Sequence, residues 1–325
     1  MMKILWIIPC KRGSPLDLLS ARKGVDILKQ ANIEIIQYDF HSSRSIVGFF
    51  KDLFKIRNIC KANGITYVHA QFGSSTALLG LLVGWPYFVT FRGTDLNGDP
   101  DSKFISNIGR KFLGVLTAYF AKGVILVSEP LSRHIIKCEE KTFIIPTGTE
   151  IDLFSPMDRS ECKKALSLKE SKDYISFASG GGRSLKRPDL AKLVTDTLIS
   201  KGYELELLEI WNTPHDLVPK MLNASRLVIL TSDREGSPNI VREALACGIP
   251  VLAFDVGDVS KWVKLDKRSS VLKFGDTESM VNLAQQILDN PPLNSRRVDV
   301  DLFSVKSSMK RLIQIYQSGE LKIES

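Results

Sequence analysis

Residues 227–257, LVILTSDREGSPNIVREALACGIPVLAFDVG, hold two carboxylates at a spacing that suits sugar chemistry. Glu235 stands just before Ser237 and Pro238, a cap-type residue followed by the residue best tolerated at a first helical position. Glu243 falls inside the helix that this pair opens, about one turn or roughly 6 Å along its axis. Gly248, with Pro250 beyond it, marks the helix end. The apolar runs 227–230 and 251–254 on either side read as buried parallel strands. In such a strand-loop-helix-strand unit the helix N-terminus leaves the carboxyl edge of the sheet. The stretch Gly236, Ser237, Pro238 and Asn239 then becomes a site for an anion such as a diphosphate. Neither Glu235 nor Glu243 would bind phosphate, but ionised carboxylates accept strong hydrogen bonds from sugar hydroxyls. The pair therefore suits a ligand with hydroxyl-bearing rings on both sides of a diphosphate. Taken singly, each Glu is an ordinary solvated carboxylate, and it is the whole string that points to a ligand.

A second cluster follows the apolar run 174–178. The turn S-G-G-G-R-S-L-K-R-P places Arg183 and Lys186 beside a strand edge, and a glycine-rich turn with cations can cradle phosphates; a solvated basic loop is the plain alternative. In the first turn, P-C-K-R-G-S-P, Gly13 allows a backbone to approach a ligand closely. His69 ends an apolar strand and reads as a hydrogen-bonded core histidine rather than a catalyst. Asp99 and Asp101 spell D-x-D, but in a loop of Gly, Pro and Asn that argues against a metal site. Five scattered cysteines, odd in number and without CxxC or Cys/His spacing, read as reduced thiols with no zinc site.

Elements able to position these residues alternate along the chain. Strand runs at 4–8, 33–38, 67–70, 88–91 and 124–127 enclose helical patterns near 17–30, 47–62 and 76–83. After residue 156 the alternation resumes with strands 174–178, 204–208 and 227–230 and helices near 189–199 and 217–224. This is the pattern of parallel, doubly wound sheets, and 325 residues suffice for two such domains. Pro146, Gly148 and Pro156 punctuate the join, which sets an N-terminal domain at 1–152 and a C-terminal domain at 153–325.

The string E-G-S-P-N-I-V-R-E-A-L-A-C-G-I-P-V resembles the E-x7-E signature of the retaining glycosyltransferases of family 4, also described as glycosyl transferases group 1. That resemblance implies an α/β GT-B fold, two Rossmann-like domains facing a central cleft. The N-terminal domain would bind the acceptor and the C-terminal one the nucleotide sugar, with a last helix at about 307–317 crossing back onto the N-terminal domain. It implies catalysis without a bound metal or cofactor, Lys186 as the diphosphate-binding lysine, Glu235 orienting the sugar and Glu243 the ribose. Further matches are V-H-A-Q-F-G (68–73), F-R-G-T-D (91–95) and S-E-P-L (128–131). The second is usually F-H-G-T-D, so Arg92 replaces a histidine placed near the transferred sugar. Arg92 and Asp95 are then candidates for the sugar or acceptor side, although the two could also simply pair with each other. The usual arginine five residues before Lys186 is Gly181, and Arg183 is expected to substitute for it. The first turn has fewer glycines than is usual, which weakens a phosphate role for Gly13.

The resemblance points to transfer of a hexose from a UDP- or GDP-linked sugar to a glycan or lipid-linked acceptor, in surface polysaccharide or lipopolysaccharide synthesis. A GT-B-fold nucleotide-sugar epimerase and a non-catalytic nucleotide-sugar-binding subunit are the alternatives. Residues 1–150 hold 19 Lys and Arg against 12 Asp and Glu, so the net charge of +8 lies almost wholly in the first half. Such a field suits an anionic partner. Nucleic acid is the least expected of such partners, since there is no reader motif and no basic run interleaved with aromatics. The pattern 47–62, V-G-F-F-K-D-L-F-K-I-R-N-I-C-K-A, has aromatic anchors and a cationic rim. As a buried domain helix it needs no membrane; the alternative is a peripheral association of a cytoplasmic protein with an anionic inner membrane face.

Overall fold

The computed structural model of the protein describes residues 1–10, 22–41, 45–98, 104–135, 137–181, 183–291, 295 and 298–318. The chain divides into two compact units, Met1–Gly148 with Val305–Ser325, and Thr149–Ser304. In chain order the first comprises β1 (Met2–Cys10), α1 (Val25–Gln30), β2 (Ile33–His41), α2 (Ile46–Asn63), β3 (Tyr67–Ala70), α3 (Ser75–Val83), β4 (Tyr87–Phe91), the short α4 (Thr94–Asn97), α5 (Phe104–Phe120), β5 (Gly123–Leu126) and β6 (Thr142–Ile144). The second comprises α6 (Arg159–Ala165), β7 (Asp173–Phe177), α7 (Pro188–Ser200), β8 (Leu205–Glu209), α8 (Val218–Ala224), β9 (Leu227–Leu230), α9 (Asn239–Ala246), β10 (Val251–Phe254), α10 (Val259–Val263), β11 (Ser270–Leu272) and α11 (Thr277–Asp289). The final helix, α12 (Val305–Ser318), belongs to the first unit.

The sheet of the first unit runs β2-β1-β3-β4-β5-β6 and every pair is parallel. β1 explains why. Ile4 to Ile8 is an unbroken apolar run with no residue more than 1% exposed, as a strand covered on both faces requires. Its side chains alternate between two cores. Leu5 and Ile7 enter the one beneath α2, α3 and α5, while Ile4, Trp6 and Ile8 enter the one with Leu28 of α1 and Leu312 and Tyr316 of α12. Burying each such side chain stabilises by about 1.5–3 kcal/mol, which is why this run specifies its place in the sheet. Trp6 Nε1 donates to the Tyr316 hydroxyl at 3.1 Å, pinning α12 to the strand.

The sheet of the second unit runs β11-β10-β9-β7-β8, again all parallel. From β7 the chain goes first to one side, as β8, and then to the other, as β9. The strand order therefore reverses between β7 and β9, and the loops that leave their carboxyl ends border the crevice where ligands of such sheets bind. Local chemistry sets the helix ends: Asp158 caps α6 through the Glu161 N–H, Asp276 caps α11 through that of Ser279, and Pro188 opens α7.

Candidate active site

Three loops of the second unit converge beyond β7, β9 and β10. After β7 the chain turns through Gly180 and Gly181 at φ +60° and +74°, a region that L side chains rarely adopt. Both glycines also face filled space. A Cβ on Gly181 would lie 2.5 Å from the Trp211 indole, and one on Gly180 would lie 3.2 Å from the Lys186 side chain and 3.7 Å from that of Arg183. The turn thus brings the side chains of Arg183 and Lys186 against Gly180. Gly182 lies outside the described residues. Buried Leu185 anchors the following 3-10 turn, Ser184–Lys186.

The loop after β9 is fastened onto this turn. Thr231 Oγ1 donates to the carbonyls of Lys186 and Arg187, both at 3.0 Å, and the Asp233 N–H donates to the Leu185 carbonyl. These bonds bring Glu235 to Lys186. Lys186 Nζ meets Glu235 Oε1 at 2.6 Å, and the same oxygen accepts from Ser232 Oγ at 2.8 Å. The side chains are 18% and 13% exposed, so the pair is mostly desolvated yet reachable from solvent. The third loop backs Glu235: a Cβ on Gly257, at φ +59°, would come within 2.6 Å of the Gly236 carbonyl and 3.0 Å of that of Glu235.

The start of α9 differs from the expectation. Pro238 is the N-cap, at φ −69° and ψ 118°, and Asn239 is the first helical residue. Ser237 does not cap the helix. Its hydroxyl donates to Asp258 Oδ2 at 2.8 Å and accepts from Arg242 Nη1 at 2.6 Å. The reason is a fully buried guanidinium: Arg242 also donates to Asn239 Oδ1 at 2.9 Å and lies over the Trp262 ring, and Trp262 Nε1 in turn donates to Asp258 Oδ2. Burial pushes the Arg242 pKa down, with Asp258 and then Glu243 opposing it. The side chains of Ser237 and Asn239 are thereby engaged by Arg242 and Asp258 at the helix mouth. Glu243 lies one turn in and is 9% exposed. Gly248, at φ +73°, ends α9, with the Ile249 N–H bonded back to the Ala244 carbonyl.

In the first unit, Arg92 follows β4. Its guanidinium donates to the Gln71 carbonyl at 2.9 Å, to Gln71 Oε1 at 3.0 Å and to Thr147 Oγ1 at 3.2 Å. Arg92 meets Asp95 through its backbone: the N–H groups of Gly73, Arg92 and Gly93 all donate to the Asp95 carboxylate, at 2.8–3.1 Å. Asp95 has no exposed surface, so it buckles the F-R-G-T-D turn rather than facing a sugar. Burial raises the Asp95 pKa, with the three N–H bonds opposing. Burial lowers that of Arg92 to about 10, so the guanidinium keeps its charge at neutral pH. His69 bonds to the Tyr316 hydroxyl and to Thr90 Oγ1, and burial together with the Arg92 charge pushes its pKa down to about 3. It is a neutral core histidine. His69, Gln71, Arg92 and Thr147 line a cavity of about 50 Å³.

Gly13, Asp99 and Asp101 lie outside the described residues. Among the described residues no group of three His, Cys, Asp or Glu could hold a metal ion, and all five cysteines are free. Arg242, Asp258, Ser232, Gly257 and the half-exposed Trp211 escaped sequence reasoning. Asp258, Gly257 and Trp211 act on residues that only the sheet order brings near, whereas Ser232 and Arg242 act within their own loop and helix start.

The family model for glycosyl transferases group 1 matches residues 195–299, which include β8, β9, α9 and β10. A putative teichuronic acid biosynthesis glycosyltransferase of Bacillus subtilis (strain 168) is 28% identical over 218 residues, 59% of this chain and 54% of that protein. This chain spans 59%, 54% and 42% of the length of three of the curated relatives that it matches. Sucrose-phosphate synthase from Thermosynechococcus elongatus superposes with a TM-score of 0.79 at 14% identity, covering 98% of this chain and 99% of that one. The Anabaena protein HepE, solved in complex with UDP-glucose, gives a TM-score of 0.66 at 17% identity, covering 98% and 100%. These likenesses identify the α/β fold, two parallel doubly wound units, as GT-B.

Proposed function

We propose that the protein, whose residues 195–299 match the family model for glycosyl transferases group 1, is a retaining glycosyltransferase moving a hexose from a UDP- or GDP-linked sugar to a glycan or lipid-linked acceptor. The observation that carries this reading is the Lys186–Glu235 pair, 2.6 Å apart at the point where the strand order reverses and beside the mouth of α9. A nucleoside diphosphate sugar uses both members. Lys186 and Arg183 take the diphosphate together with the backbone N–H groups at the start of α9, Glu235 accepts from the sugar hydroxyls, and Glu243 accepts from the ribose. As the bond from the anomeric carbon to the phosphate oxygen breaks, negative charge grows on the diphosphate, where Arg183, the helix N-terminus and Lys186, once drawn from Glu235, would stabilise it. The acceptor oxygen bonds to the same face of that carbon, and its proton passes to the departing phosphate. This route asks for neither a covalent nucleophile nor a metal. In the other unit, Arg92 is proposed to donate to the sugar or acceptor; unlike a histidine it cannot take up a proton near neutral pH.

The teichuronic acid role of the Bacillus relative favours a surface polysaccharide pathway served from the cytoplasmic side, and HepE with UDP-glucose favours a nucleotide-sugar donor. Arg92 in place of the family histidine, together with the glycine-poor first turn, supports the non-catalytic binding subunit. Saturation-transfer NMR against UDP-, GDP-, ADP- and CMP-sugars, followed by turnover with glycan and lipid-linked acceptors, separates the readings. One donor class should bind and turn over, with Glu235→Gln lowering kcat about 10²-fold. Binding without turnover on any acceptor would establish the binding subunit, interconversion of the free sugar nucleotide would establish an epimerase, and no binding at all would refute the site.

A further inference from the structure

Helix α5 is built inside out. The face turned to the sheet carries small residues, Gly114, Thr117 and Ala118, all buried. A Cβ on Gly114 would already lie 3.0 Å from Leu96, so this face leaves no room for larger side chains. The large apolar residues are outside: Ile108, Phe112, Val115 and Tyr119 are 53%, 68%, 42% and 58% exposed. Their spacing of four, three and four residues puts them on one stripe about 16 Å long. A monomeric soluble protein scatters exposed apolar residues singly; a continuous stripe marks an interaction surface.

The stripe does not stand alone. α2, α3 and α5 cover the same face of the sheet, since all three contribute to the core around Leu5 and Ile7. α3 packs between α2 and α5. On α2, Ile46, Val47, Phe50 and Phe54 are 77%, 65%, 48% and 60% exposed, and Leu82 of α3 is 38% exposed. The three helices carry six cations, Lys51, Lys55, Arg57, Lys61, Arg110 and Lys111, against one acid, Asp52. Even Asp52 is engaged, accepting from the Tyr38 hydroxyl at 2.7 Å. Just past α5, Lys141 holds its ammonium 5.8 Å from the Tyr119 ring centroid.

We infer that this helical layer docks on the surface of an anionic lipid bilayer, with Phe112 and Tyr119 of α5 as its principal apolar anchors. Aromatic and aliphatic side chains set among cations fit the boundary between acyl chains and negative headgroups. A second copy of the chain fits poorly, because two such faces meeting would press their cations together. The inference does not rest on glycosyl transfer, and it assigns α5 a role that the amphipathic pattern of α2 alone would not reveal.

Flotation of the full chain with vesicles tests it. The protein should float with phosphatidylcholine vesicles containing about 30% phosphatidylglycerol but not with pure phosphatidylcholine, and about 0.5 M NaCl should release most of it. Phe112→Ser combined with Tyr119→Ser should lower partitioning at least about tenfold. Both side chains point away from the core, so circular dichroism and nucleotide binding should match the parent. Leu193→Ser, at a 50% exposed position on α7 of the other unit, should float unchanged. Wild-type flotation by the double variant, or none by the parent, would overturn the inference. So would a dimer that the same two substitutions dissolve, since the layer would then be an interface between copies. Nucleotide binding is measured separately, so a failed flotation leaves the donor-site reading standing.

Discussion

Glu235 and a donor diphosphate want the same ammonium. Lys186 Nζ is held by Glu235 Oε1 at 2.6 Å, and Ser232 Oγ steadies that oxygen from the other side at 2.8 Å. A diphosphate must draw Lys186 away before it can use it. The two side chains are 18% and 13% exposed, which discounts the pair to about 1 kcal/mol of net stabilisation. Glu235→Gln removes the competing charge, so the dissociation constant for the nucleoside diphosphate should fall about threefold to tenfold. Turnover should move the other way. A contact to the reacting sugar tightens as positive charge develops at the anomeric carbon, and losing it should cost about 10²-fold in kcat.

Lys186→Ala should weaken nucleotide binding and turnover together. It removes a charge-assisted bond of about 1.5–3 kcal/mol and leaves Glu235 facing the diphosphate uncompensated. In the double variant the binding loss should be smaller than in Lys186→Ala alone, because the repelling carboxylate is gone. Calorimetric titration at fixed ionic strength, with steady-state kinetics on a fixed acceptor, reads all three variants. If Glu235→Gln bound the nucleotide more weakly, competition for Lys186 would be the wrong account of the pair. If both single variants kept near wild-type kcat/KM, the pair would not be the site at all.

Three further expectations follow from single residues. Glu243→Gln should raise the KM for donor about tenfold with kcat little changed, since a ribose contact is present in ground and transition states alike; an equal loss in kcat would move Glu243 to the reacting end. Arg242→Met should cost about 3 kcal/mol in urea unfolding, because it leaves the 4% exposed Asp258 carboxylate without its cation, and adding Asp258→Asn should recover part of that loss; no change would mean that the network does not hold the mouth of α9. His69 has its pKa lowered in the folded state from 6.5 to about 3, so the unfolded chain protonates first as pH falls. Its contribution, complete above pH 6.5, is lost between 6.5 and about 3, on the order of a few kcal/mol, and His69→Gln should flatten the fall of Tm over that window.

The strands of the second unit could be read directly because parallel strands covered on both faces are continuous apolar runs, as 227–230 and 251–254 are. The end of α9 was equally readable, since Gly248 at φ +73° does there what a glycine after a helix does. Its start was misjudged for a tertiary reason: Ser237 has the side chain of a cap, but Arg242 and Asp258 claim that hydroxyl first. Helix α5 escaped notice because F-I-S-N-I-G-R-K-F-L-G-V-L-T-A-Y-F is broken by two glycines and sets its largest apolar residues opposite a small buried face. A periodic search expects large residues inward and polar ones outward. Here the inward face is small, and the large residues point to solvent. β6 and β11 are three residues each, too short to carry a period. The candidate site was legible as two separate strings, one cationic and one acidic. Nothing in either string says that they touch, for Lys186 and Glu235 are 49 residues apart and meet only because β9 returns to the side of β7 away from β8. The chemistry of the pair, an ammonium held ready by the carboxylate that a sugar would occupy, is therefore a property of strand order, and the opposite binding and turnover effects expected of Glu235→Gln depend on it.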